Sequence, residues 1–210
     1  VINWQDKTHP QAGGAEVHLH EIFKRLVQFG HQVTLLCCRY PGASRTETRD
    51  GIQIIRAGHR NWFNFIVPVL YRRIRRQQSF DVVIDDINKI PFYTPLFVRE
   101  PLIAVVHHLF GRSIYRETNW LSASYVFAAE NLISAIYRRT PVAAVSPSTC
   151  AELERRGFNS KQLELIYNGI DTDSYVPQPS LQSPTPLMGY LGRIRRYKSV
   201  EHVLLALKDL

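Results

Sequence analysis

Cysteine is scarce in this chain, and what there is argues against a disulfide framework. The three cysteines are an odd number, with Cys37 and Cys38 adjacent and Cys150 remote, so they read as reduced thiols of a cytosolic protein. Long apolar runs are also missing. No uninterrupted stretch approaches the length that spans a bilayer, so no transmembrane helix is expected. Glycine and proline stay at 11 and 12 residues, and charged residues reach only 21% against 45% hydrophobic. Those values exclude a collagen-like repeat, a disordered chain and a coiled coil. Neither an internal repeat nor a low-complexity tract occurs, and no leader is visible ahead of the apolar opening at Val1. With 210 residues the chain is long enough to bury a core without staples.

Positive charge is in excess, with a net value of +8. A basic balance suits a phosphate-bearing substrate, an anionic membrane or a nucleic acid. No nucleic-acid recognition motif accompanies it, so nucleic acid is set aside. The cations are grouped, with Arg72, Arg73, Arg75 and Arg76 in one cluster and Arg193, Arg195, Arg196 and Lys198 in another. Each also fits an ordinary solvated helix face or helix end.

Apolar periodicity orders the elements. Ala15, Leu19, Ile22, Phe23 and Leu26 recur at helical spacing, and Gly30 closes that helix. The run 33–38 is continuously apolar, as in a strand buried on both faces. Asp50-Gly51 reads as a turn before a strand over 52–55. A helix follows the interruption at Pro68 within the segment 63–78. Strands are expected at 82–84, 102–106, 142–145 and 163–167, with helices over 120–139 and 149–156. The first strand is represented by its end, residues 1–3. Strands alternating with helices imply a doubly wound parallel α/β sheet, with functional groups at the C-terminal ends of the strands.

The composition changes after residue 168. Four prolines and three serines between 171 and 186 make a stiff polar connector. Beyond it, 187–191 reads as a new buried strand and 199–210 as a new helix. The expected division is therefore an α/β domain over 1–168, a linker over 169–186, and the first strand and helix of a second domain over 187–210, cut off just inside it.

Four constellations carry chemistry. Gly13-Gly14-Ala15-Glu16 joins a strand end to a helix start, where free N–H donors and small residues admit a phosphate. It lacks the spacing of a Walker loop or a dinucleotide fingerprint. His107-His108 ends a buried strand, with no third ligand to suggest a metal. Arg193 and Lys198 stand beside the start of the last helix, a pair suited to a diphosphate. Asn168-Gly169-Ile170-Asp171 marks the exit from the first domain. Asp171-Thr172-Asp173 has a D-x-D spacing but sits in a hinge segment, and is rejected as a metal site. Asp85 and Asp86 are strand neighbours on opposite faces and so make no acid/base pair.

Taken in order, Gly13-Gly14-Ala15-Glu16, Ser146-Pro147-Ser148-Thr149, Tyr167-Asn168-Gly169-Ile170-Asp171 and Gly192-Arg193 with Lys198 resemble family 4 glycosyltransferases, retaining enzymes of the Rossmann-like GT-B fold. The resemblance runs from Trp4 to the end. It implies a sugar moved from a nucleotide-diphosphate sugar to a glycan or lipid-linked acceptor, in a cleft between two domains. Residues 1–168 would be the acceptor side, and Gly13 and Gly14 would face the donor's diphosphate. Arg193 and Lys198 match the basic pair that stabilises the departing diphosphate, and His107 matches the histidine beside the transferred sugar. His108 occupies a position often acidic in the family. Positioning or acceptor contacts fall to His108, Asn88, Ser146 and Asn168.

The family's E-x7-E segment is absent, so this chain alone is expected to be inactive. No carboxylate is placed as a nucleophile, which favours electrostatic catalysis without a metal or other cofactor. Trp62-Phe63-Asn64-Phe65-Ile66 followed by the arginine cluster has the composition of an interfacial segment on anionic lipid, which would make the protein peripheral at the inner face of the plasma membrane. The competing reading packs Phe63, Phe65 and Ile66 inward. Two other functions remain open: a non-catalytic acceptor- or membrane-binding module, and a nucleotide-sugar epimerase of similar fold.

Overall fold

The computed structural model describes residues 1–173, 175–192, 194 and 198–208, with the side chain of Leu181 set aside. Among the described residues there are seven strands: β1 (Thr34–Arg39), β2 (Thr46–Arg49), β3 (Ile52–His59), β4 (Val83–Ile87), β5 (Leu102–Val106), β6 (Val142–Ala144) and β7 (Leu163–Leu165). The helices are α1 (Gly14–Gln28), α2 (Phe63–Arg75), α3 (Trp120–Asn131), α4 (Ile133–Ile136), α5 (Pro147–Arg155) and α6 (Val200–Lys208). No helix among the described residues is long and apolar enough to cross a membrane.

Residues 1–4 stitch the strands into one sheet. Ile2 bridges Leu36 on one side and Asp85 on the other, both in parallel sense. Its N–H donates to the Ile84 carbonyl at 2.8 Å, and the Asn3 N–H to that of Leu36 at 3.1 Å. The order across the sheet is thus β2, β3, β1, residues 1–4, β4, β5, β6, β7, parallel throughout except for β2. This is the expected doubly wound α/β sheet.

Side-chain alternation assigns the layers. Leu35 and Cys37 pack with Leu19 of α1, whereas Leu36 and Cys38 pack with Phe63, Val67 and Tyr71 of α2. Successive strand residues point to opposite faces, so α1 covers one face and α2 the other. Val83 joins the α2 cluster, and Ile87, four residues on, packs with α4 and α5. Those helices therefore share the α2 face.

Several expectations need correction. Strand β2 is missing from the sequence reading: its residues Thr-Glu-Thr-Arg carry no apolar alternation, and β3 alone holds them through an antiparallel pairing. The Asp50-Gly51 turn is as expected. Both residues have positive φ, 50° and 78°, as a type I′ hairpin turn requires. A Cβ on Gly51 would also lie 2.4 Å from Val27. Pro68 does not interrupt its helix; it lies inside α2, whose stripe of Phe63, Val67 and Tyr71 buries enough to outweigh one lost backbone bond. The segment 120–139 breaks at Leu132 into α3 and α4, because Ile133 and Tyr137 are drawn into the core beneath β4–β6. Residues 187–191 form no strand: among the described residues none lies alongside to take their hydrogen bonds, and Leu187 and Leu191 are exposed. Helix α6 forms where expected, with Leu204 and Leu205 facing solvent.

Candidate functional site

The parallel sheet delivers four loops to one edge, each leaving the C-terminal end of a strand: residues 5–13 before α1, 88–89 after β4, 107–108 after β5, and 145–146 before α5. This is the edge at which open α/β sheets bind ligands.

Glycines 13 and 14 are not needed by the fold. Gly13 caps α1 in an extended conformation, with φ −135°. A Cβ on Gly14 would meet nothing within 4 Å, and one on Gly13 would make only an ordinary contact with Glu16. Neither turn geometry nor packing explains the pair, so the space in front of the helix is what glycine preserves. Glu16 accepts the Gly13 N–H at 2.6 Å, while the amides of Gly14, Ala15 and Glu16 are the free donors of the first turn. The Glu16 carboxylate also accepts from the Asn88 amide at 3.0 Å and pairs with Lys89 at 3.4 Å. Burial pulls the Lys89 ammonium below its usual pKa, opposed by Glu16.

His107 lies just past β5. Its Nε2 is 2.8 Å from Oδ1 of Asp86, and both side chains are buried. His18, on the second turn of α1, sets its ring edge-on to that of His107, with centroids 5.2 Å apart. Burial lowers the His18 pKa, and the nearby His107 lowers it further. His108 is likewise lowered by burial and then by the charges of His107, Lys89 and Lys198. Gly13, Gly14, Asn88, His107 and His108 thus gather at one edge, and the charge of Lys198 reaches the same place. Arg193 lies outside the described residues.

The other named residues have local surroundings of their own. Ser146 is the N-cap of α5, accepting the Thr149 N–H at 3.1 Å, with Pro147 in the first helical position. Asn168 is exposed beyond β7. Asp171 accepts the Asp173 N–H at 3.2 Å in a local turn. Among the described residues no three His, Cys, Asp or Glu side chains converge as a metal set.

Sequence reasoning missed two members, His18 and Asp86. His18 follows Gly14 by four residues and so shares its helix face, a signal that was legible. Asp86 was set aside correctly as half of a carboxylate pair, since Asp85 turns to the other face and binds Thr94 and Tyr137. Its real partner stands 21 residues away. Buried atoms without a partner among the described residues include His18 Nε2, Asp86 Oδ2 and Asn88 Oδ1. Such orphans are costly, and three of them lie on elements meeting at this edge.

A family model described as Glycosyltransferase Family 4 matches residues 12–174. No curated protein matches the chain. Among solved structures, the chain is similar to sucrose-phosphate synthase from Thermosynechococcus elongatus, with 16% identity and a TM-score of 0.76 over 100% of this chain and 59% of that one. It is also similar to Anabaena HepE in complex with UDP and glucose, at 14% identity and TM-score 0.56, covering 85% of this chain and 46% of that one. The HepE structure with UDP-glucose gives 15% identity and TM-score 0.54 over the same shares. At these identities the likeness is one of fold. The chain spans about three fifths of the synthase, 59%, and less than half of HepE, 46%.

Proposed function

The chain belongs to glycosyltransferase family 4 and has the Rossmann-like fold of GT-B enzymes, and from that premise we propose that the full-length protein carrying it is a retaining, metal-independent transferase. It moves a sugar from a nucleotide-diphosphate donor to a glycan or lipid-linked acceptor. The observation that carries this is the glycine pair, which the fold does not need, facing the same edge as His107 and the charge of Lys198. Residues 1–168 form the acceptor side, 169–186 the connector, and 187–210 the start of the donor side. The helix N-terminus, Arg193 and Lys198 neutralise charge growing on the departing diphosphate. His107 lies beside the sugar, with Asn88 and His108 at the crevice wall.

The test is turnover by the full-length protein. Because HepE was solved with UDP-glucose, UDP-sugars are the first donors to try, followed by GDP- and ADP-sugars. Release of a nucleoside diphosphate with transfer of the sugar in unchanged anomeric configuration supports the reading. Absence of both turnover and binding with every nucleotide-sugar tried overturns it. Equilibration of the donor between two epimers would favour the epimerase instead.

The aromatic-basic segment supports a membrane-borne acceptor. Helix α2 divides it: Phe63, Val67 and Tyr71 face the core, while Trp62, Phe65 and Val69 stand 65%, 56% and 66% exposed. Phe65 therefore does not pack inward; its ring stacks on Tyr125 of α3, whose neighbour Leu121 is also exposed. Arg75 is held by Glu100, and Arg72, Arg73 and Arg76 extend the outer stripe into solvent. Exposed aromatics ending in unpaired cations fit an anionic bilayer surface. At about 1 kcal/mol per arginine, three give reversible binding. Sedimentation with anionic liposomes at low salt is expected to capture the protein, and changing Arg72, Arg73 and Arg76 to Gln to release it. Indifference of the wild type to anionic lipid refutes the membrane role.

A further inference from the structure

We propose that Asp86 is a positioning residue that fixes the tautomer of His107 and so decides which ring nitrogen meets the substrate. The inference rests on the transferase reading for its catalytic consequence, but the geometry stands apart from it.

The two residues come from neighbouring strands. In the β4–β5 ladder Asp86 is paired with Val105 and Ile87 with Val106. The His107 N–H extends that ladder by donating to the Ile87 carbonyl at 3.2 Å. The Thr149 hydroxyl, from the first turn of α5, donates to the His107 carbonyl at 3.2 Å. With its backbone held on both sides, the side chain reaches back across one strand to Asp86. The ring of His18 closes the third direction at an interplanar angle of 88°. Among the described residues, His18 and His108 are coupled to this pair, and Lys89 and Lys198 act in turn on His108.

A carboxylate only accepts hydrogen bonds, so the proton of a neutral His107 must sit on Nε2, toward Asp86. The lone pair is then on Nδ1, which faces away from the carboxylate and accepts from a sugar hydroxyl in the crevice. The opposite tautomer would present a donor there and repel that contact. Asp85, next in sequence, does none of this. It is bound on the other face by the hydroxyls of Thr94 and Tyr137, so the twin aspartates divide into one that ties the core and one that serves the crevice.

Asp86→Asn tests this, because an amide can donate to Nε2 and so favours the reversed tautomer. In the full-length enzyme it is expected to lower kcat on the order of a hundredfold with little change in donor KM. Asp86→Glu should recover part of that loss. In a His107→Gln background, Asp86→Asn should cost nothing further. Nitrogen-15 NMR of the imidazoles reads the tautomer without turnover: Nε2–H in the wild type, Nδ1–H in Asp86→Asn, with unchanged melting temperature. An Nδ1–H wild type, or an equal loss of kcat without His107, overturns the proposal. If no nucleotide-sugar is turned over at all, the transferase reading fails and the tautomer measurement alone decides this one.

Discussion

Arg56→Met is expected to cost the fold about 3–5 kcal/mol, because it strips the partner from a buried carboxylate. The guanidinium is wholly buried, 2.6 Å from Asp6 through Nε and 2.9 Å from Glu47 through Nη2. It also donates to the Thr8 hydroxyl at 3.2 Å and to the Ser44 carbonyl at 3.3 Å, and lies over the Tyr40 ring. Burial alone would raise the Asp6 pKa, but the Arg56 and Thr8 hydrogen bonds outweigh it and hold it down to about 2. A carboxyl lowered on folding stabilises above its unfolded pKa near 4, and that contribution of about 2 kcal/mol disappears as the pH falls through 2. Urea melts of wild type and Arg56→Met at pH 7 check the first figure. The variant should also show a flatter acid limb between pH 4 and pH 2. Adding Asp6→Asn to Arg56→Met should restore much of the loss, since the orphaned charge goes with it. A loss below about 1 kcal/mol would show that the pair is not held dry. Asp6 lies in the 5–13 loop that leads to Gly13, so this core pair also anchors that loop.

Arg193→Ala and Lys198→Ala are each expected to lower kcat of the full-length enzyme on the order of a hundredfold, with a smaller effect on donor KM. Their charges matter most as the diphosphate leaves, so the interaction strengthens toward the transition state. Steady-state kinetics with the donor found to turn over give both numbers, and EDTA should change neither appreciably. Unchanged turnover in both variants, or abolition by EDTA, would refute electrostatic catalysis without a metal.

The sheet was legible because burial on both faces leaves a continuous apolar run, as in β1; β5 is apolar throughout although its Ile103 side stays open. Strand β2 was not legible, since an exposed edge strand need not carry that pattern. Pro68 misled for a related reason. Its local propensity is clear in sequence, but the tertiary stripe that overrides it is only partly so. At the candidate site, the residues attached to a sequence motif, Gly13, Gly14 and His107, do come to one sheet edge. Those that belong by contact alone were not legible, because Asp86 reaches His107 across two strands that only the fold makes neighbours. Ser146 also belongs to a sequence motif, and the structure gives it a plain task as a helix cap.

Strand β2 has a further consequence for the molecule in company. A parallel sheet gathers distant segments and so tends to fold slowly, leaving edges open to copies of itself. Here one margin is a four-residue strand whose Glu47 and Arg49 pair with each other at 2.6 Å, and the other is the three-residue β7. Neither offers a long apolar ladder on which a second chain could register. Refolding at high concentration should therefore lose little material to fibrous association through the sheet, and the exposed aromatics of α2 and α3 are the surface a detergent or lipid additive would need to shield.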